Sequence, residues 1–125
     1  MSSHMLQIGD KVCTERSQNI RTVTGIVAES TDPSVRLYSL NGGPTFWLEP
    51  ELTFLGARED YPTAIFDINN EVTIGDITYR VEGVSLKYRD NQPTHHYRLR
   101  PISGSEAYEF KYEDELAIHT NYTLF

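Results

Sequence analysis

The chain has 125 residues, enough for one ordinary domain or two very small ones. Its 11 basic and 18 acidic residues give a formal net charge of −7, shared between the halves: residues 1–62 carry 5 basic and 8 acidic side chains (−3), residues 63–125 carry 6 and 10 (−4). An apolar content of 38% excludes a disordered chain, no apolar run reaches the roughly 20 residues of a spanning helix, and an acidic field in both halves opposes a phosphate backbone.

Met1-Ser2-Ser3-His4-Met5 reads as a cloning remnant, with Met5 the natural start. The first residues show no charged-then-apolar signal pattern, so a cytoplasmic location is expected. Lys11–Thr14 is predicted as a strand, 15–19 as a polar loop, and Ile20–Ala28 as a second strand whose alternation changes phase near Gly25. A glycine inside a strand predicts a bulge or sharp bend. Asp32-Pro33 marks a loop. Val35–Leu40 and Thr45–Leu48 are predicted strands joined by the turn Asn41-Gly42-Gly43. Glu49-Pro50-Glu51-Leu52 is predicted as one helical turn, with Pro50 early in it, and Thr53–Leu55 as a fifth strand.

The plan then restarts after residues 57–65, a polar connector containing Pro62. Ile68-Asn69-Asn70-Glu71-Val72 matches Ile8-Gly9-Asp10-Lys11-Val12, and Val81-Glu82-Gly83-Val84 matches Val23-Thr24-Gly25-Ile26. Strands are predicted over Ile77–Tyr88, His95–Ile102 and Ala107–Tyr112. Glu113-Asp114-Glu115-Leu116 repeats the helical turn, and 117–120 is predicted to close the second copy as a strand. The offset between copies drifts from 60 to 58, 62 and 64, as loop insertions in a duplication would cause. No stretch sustains a period of 3.6, so long helices are not expected.

Five short strands per copy, a bent second strand and a helical turn before the fifth resemble the SH3-like barrel in its KOW and Tudor-type variants. Ile8-Gly9-Asp10-Lys11-Val12, Val23-Thr24-Gly25-Ile26-Val27 and Phe46-Trp47-Leu48-Glu49-Pro50-Glu51-Leu52 carry the resemblance. The resemblance extends to small phage- and prophage-encoded proteins. It implies an all-β fold of two tandem SH3-like five-stranded barrels packed together, each with one short helical turn before its last strand. The first module is expected over residues 6–56, the second over 66–120, and a tail over 121–125.

Alternation of the aligned copies predicts inward Phe46, Leu48, Phe110, Tyr112, Leu37 and Leu99. It predicts outward Trp47, Lys111, Arg36, Tyr38, Arg98 and Arg100. Trp, Tyr and Arg dominate interaction hot spots, so Trp47, Tyr38 and Arg36, with Tyr61 at the junction, are the expected partner-binding residues. Packing against the other module is the competing explanation for Trp47 and Tyr38. In the second copy, Arg98, Arg100, Lys111 and Lys87, interleaved with tyrosines, are candidates for binding single-stranded nucleic acid. Ordinary cross-strand pairing with Glu82, Glu106, Glu109 and Glu113 is the simpler account, and the net acidity disfavours nucleic acid.

Chemistry-bearing signatures are scarce. Cys13 reads as a small structural residue and rules out an internal disulfide. His95 and His96 are adjacent on a strand, point to opposite faces, and suit no shared metal. No nucleophile elbow or phosphate-cradling loop occurs. The carboxylates Glu49, Glu51, Glu113, Asp114 and Glu115 fall in matching bends and read as a solvated helical turn. The expectation is a non-catalytic adaptor or inhibitor, without cofactor, metal or membrane association, that engages a protein partner as a monomer or weak homodimer. A KOW-like nucleic-acid-binding module and an acidic phage-encoded decoy of a host enzyme are the alternatives.

Overall fold

The computed structural model describes residues 6–29, 31–32, 34–57, 64–103 and 108–119. Strands dominate them, and no helix is long and apolar enough to cross a membrane. The chain divides into two compact units, Met1–Thr63 and Ala64–Phe125.

The first unit contains β1 (Asp10–Thr14), β2 (Ser17–Ala28), β3 (Arg36–Leu40), β4 (Phe46–Leu48), a single 3-10 turn (Glu49–Glu51) and β5 (Leu52–Ala57). Every pairing is antiparallel: β4 lies on β3, β3 on β2, β2 on β1, and β1 on β5. The second unit contains β6 (Glu71–Ile74), β7 (Ile77–Arg89), β8 (Gln92–Pro101), β9 (Glu109–Tyr112) and helix α1 (Glu113–His119), with β6, β7, β8 and β9 paired antiparallel in chain order. The turn Asp90-Asn91 joins β7 to β8, and both residues have positive φ (51° and 62°). That backbone matches strand twist in a two-residue hairpin and suits Asp and Asn, so β7 runs on to Arg89 and β8 begins at Gln92, beyond the bounds predicted for either strand.

Residue by residue, the two units repeat one another. Val23 faces Leu40, then a bulge precedes the Gly25–Ser39 pair; Val81 faces Leu99, then a bulge precedes the Gly83–Arg98 pair. The expected bend at each strand glycine is present. The Gly9 N–H donates to the Val23 carbonyl (2.8 Å), and the Asn69 N–H donates to the Val81 carbonyl (2.8 Å). Gly9 and Asn69 both hold positive φ (93° and 72°), and asparagine is among the few residues that tolerate it. The same apolar ladder closes both interiors. Val12, Val23, Ile26 and Leu40 are buried in the first unit; Val72, Val81, Val84 and Leu99 take those places in the second.

Three expectations are corrected. Residues 117–119 continue α1 instead of forming a strand, because the turn begun at Glu113 meets no helix breaker. Phe46, Leu48 and Phe110 are exposed (52%, 43% and 55%), not inward, while Tyr38 is fully buried, not outward; Leu37 and Tyr112 are only half-buried. The reason is register: Tyr38 pairs with Trp47, and Leu37 with Leu48. Residues directly opposite share a face, so Trp47 falls on the inner side with Tyr38, and Phe46 and Leu48 fall outside with Leu37.

These faces predict opposite mutational costs. Leu40→Ala and Leu99→Ala should each lower the unfolding free energy by about 2–5 kcal/mol, as emptied core sites do. Phe46→Ala should cost less than about 1 kcal/mol. Urea denaturation of the three variants checks the assignment.

Candidate functional site

At the point where the β3–β4 or β8–β9 hairpin meets its helical turn, each unit holds a tyrosine and a glutamate. In the first unit the Tyr38 hydroxyl donates to Glu49 Oε1 (3.1 Å), and the Leu6 N–H donates to the same oxygen (3.4 Å). In the second, the Tyr97 hydroxyl donates to Glu113 Oε1 (2.6 Å), with the Ile65 N–H on that oxygen (2.9 Å) and the Phe66 N–H on the Tyr97 hydroxyl (3.3 Å). Burial, then the neighbouring Glu49, pushes the Tyr38 phenol well above its ordinary range, against the opposing influence of Arg36. Burial and the hydrogen bond to Glu113 do the same to Tyr97. Burial would raise the Glu113 carboxyl, but His95, the Ile65 N–H and the Tyr97 hydroxyl together outweigh it and hold the group below its ordinary value.

The residue two positions before each tyrosine differs. Arg36 stands before Tyr38, and His95 before Tyr97. His95 is fully buried, its Nδ1 3.3 Å from Glu113 Oε1, within ion-pair distance but outside hydrogen-bonding geometry. Arg36 instead lines a shallow cleft of about 210 Å³ with Ser34, Val35, Tyr38, Leu48, Glu49 and Pro50. The exposed Leu48 lines the cleft, and the exposed Phe46 stands two residues before it on β4.

The second carboxylate of each bend has a separate task. Glu51 Oε1 accepts the Leu48 N–H (2.8 Å), and Glu115 Oε1 accepts the Tyr112 N–H (2.9 Å). Both are capping-box bonds that satisfy an orphan donor at the start of a helical turn. The sequence reading of these acidic bends as merely solvated is therefore corrected: one glutamate anchors a tyrosine, the other caps.

Of the expected partner-binding residues, the structure joins Arg36 and Tyr38 at the cleft and leaves Trp47 half-buried on the inner side. Tyr38 is fully buried with its hydroxyl donated to Glu49, so it offers no contact surface, and Tyr61 lies outside the described residues. Among the nucleic-acid candidates, Arg98, Arg100 and Lys87 share the outer face of β7 and β8, whereas Lys111 pairs with Tyr97 on the other face. The sequence reading missed Glu49, Glu113, Phe46 and Leu48. The recurring Tyr and Glu-x-Glu could have exposed the first pair, had the third strands been aligned at an offset of 59 (38 to 97).

Among the described residues, no group of three or more His, Cys, Asp or Glu is placed to hold a metal ion. Comparison with known proteins finds no match: no family model, no curated protein and no solved structure resembles the chain.

The buried hydrogen bonds set a pH dependence. The carboxyl of Glu113 is depressed in the fold, so its contribution is full above its unfolded value near 4.5 and is lost as pH falls through the lower folded value. Wild type and Glu113→Gln should therefore differ in urea midpoint at pH 7 and converge toward pH 3. Tyr97→Phe should cost about 1.5–3 kcal/mol at pH 7, as expected for a hydrogen bond to a charged group.

Proposed function

We propose that the chain is a non-catalytic binding protein of two tandem SH3-like units, which engages a protein partner through the first unit. The carrying observation is the outer face of the β3–β4 hairpin. Phe46 and Leu48 stand 52% and 43% exposed on a short strand that has one pairing partner among the described residues. Leu37 lies on the same face. Large apolar side chains gathered at one place and rimmed by polar groups mark interaction surfaces.

The adjoining cleft supplies the polar component. Arg36 and Glu49 sit beside Leu48 and Pro50, so an incoming side chain meets both an apolar wall and charged hydrogen-bonding groups. This is the usual composition of a specific contact, with apolar anchors for affinity and a few fixed polar groups for selection. Arg36 keeps its place in the expected site, but the aromatic contribution shifts from Trp47 and Tyr38 to Phe46. An adaptor or an inhibitor could use such a surface equally; an acidic decoy would use the carboxylates, and most of those at the bends are engaged internally.

Affinity capture from a lysate of the source organism tests the reading. Wild type should retain a specific partner, and Phe46→Ser/Leu48→Ser should lose it, with the urea midpoint shifted by less than about 1 kcal/mol equivalent. A benzophenone amino acid at position 46 should crosslink to that same partner. Undiminished capture by the double variant would reject this surface.

A further inference from the structure

The outer face of the second unit gathers positive charge in a chain whose net charge is −7. Arg80 and Arg100 are direct cross-strand partners. Like charges directly opposite destabilise a sheet, so the pair needs compensation. Arg98, two residues from Arg100, lies on the same face, and both guanidinium groups crowd one ring: Arg98 is 5.0 Å and Arg100 5.5 Å from the centroid of Tyr108. Lys87 joins them further along β7, opposite Thr94.

The compensation inside the unit is partial. Glu82 approaches Arg100 at 3.7 Å, and Glu71 lies opposite Arg80. Arg98 has a buried Nε without a hydrogen-bond partner among the described residues. Arg89, by contrast, is well matched, bonded to Asp114 at 3.0 and 3.3 Å and stacked over Tyr112 at 4.3 Å. Among the described residues, Arg98 and Lys87 thus carry the least matched charge on this face, and Arg80 and Arg100 are only partly matched. The reach of this charge shows at His96, whose imidazole is held below its ordinary value first by burial and then by Lys87.

An apolar element borders the cations. Phe110 pairs with Arg98 across β8 and β9, stacks on His96 (5.7 Å, 10° between planes), and remains 55% exposed. The face therefore offers several guanidinium forks beside an exposed aromatic ring. Forks of this kind hold carboxylates in bidentate pairs, and an exposed ring supplies the anchor that charge alone lacks.

We propose that this face is an interaction surface for an acidic segment of a protein partner, one carrying two or three carboxylates next to an aromatic or aliphatic residue. Nucleic acid shares the anionic chemistry but fits less well. Its phosphates continue past the patch into the negative field of the rest of the chain, where each added charge is repelled. A short acidic peptide ends where the patch ends. The basis is the charge arrangement of β7 and β8, and it is independent of the Phe46–Leu48 surface.

Fluorescence anisotropy on the full chain tests it, with a fluorescein-labelled peptide of six glutamates flanking one phenylalanine as probe, in 50 mM salt. Saturable binding is expected, weakened at least tenfold in Arg98→Gln/Arg100→Gln and severalfold in Lys87→Glu. Lys87 is exposed, so its replacement reports on charge even where the arginine variant folds poorly. The same peptide with glutamine for glutamate should not bind. Absence of saturable binding, equal affinity in wild type and Lys87→Glu, equal affinity for the glutamine peptide, or tighter binding of a dodecathymidine strand than of the peptide would each overturn the proposal. The assay holds no ligand for the first unit, so its failure is distinguishable from failure of the Phe46–Leu48 reading.

Discussion

One carboxylate oxygen in each unit ties three parts of the chain together. Glu49 Oε1 and Glu113 Oε1 each receive a buried tyrosine hydroxyl from the central hairpin and a backbone N–H from the segment that enters the unit. The entering segment lies 43 residues before Glu49 and 48 before Glu113, so each bond closes a long loop. A buried tyrosine hydroxyl without an acceptor would carry a desolvation cost of about 1–3 kcal/mol. The glutamate removes that cost and fixes where the helical turn starts. Because the turn follows the last residue of β4 or β9, it also fixes the register of that strand, and with it which side chains face outward.

The capping glutamates add a second constraint on the outer strands. A strand with one neighbour presents unpaired backbone groups that invite another chain. In β4 and β9 the last N–H is already taken by Glu51 or Glu115. Contact there is therefore made by side chains more readily than by added backbone pairing. The two units then diverge in what those side chains are. The first offers Phe46 and Leu48 beside a cleft, the second Phe110 beside arginines. The repeated scaffold thus carries different outer residues in its two units.

Much of the scaffold was readable before the structure. The Gly9-Asp10 turn, matched by Asn69-Asn70, and the repeated Val-x-Gly signature located the strand pairs and both bulges, since glycine and turn residues act locally. The helical turns at Glu49 and Glu113 were readable for the same reason. Facing was not. Phe46-Trp47-Leu48 is apolar at three successive positions, so alternation carries no information there, and only hydrogen-bond register against Tyr38 decides it. Leucine spacing alone aligns the third strands at an offset of 62, Leu37 on Leu99, whereas the shared interior aligns them at 59, with Tyr38 on Tyr97 and Leu40 on Leu99. The tyrosine–glutamate anchor depends on residues 11 and 16 positions apart, and no local pattern reports such a pair. The fate of 117–119 rests on whether one helical turn stops or continues, and no glycine or proline follows Glu113 to stop it.

The bulges at Gly25 and Gly83 carry a consequence for how such a chain can change in length. Each adds one residue to one strand only, which reverses the inside–outside parity of everything beyond it. Deleting that residue would turn half a long strand over. Insertions at hairpin tips leave parity untouched, and the copies differ there: the spacing from the tyrosine to its glutamate grew from 11 to 16 residues. Length variation among descendants of this fold should accordingly collect at the strand tips and avoid the strand glycines.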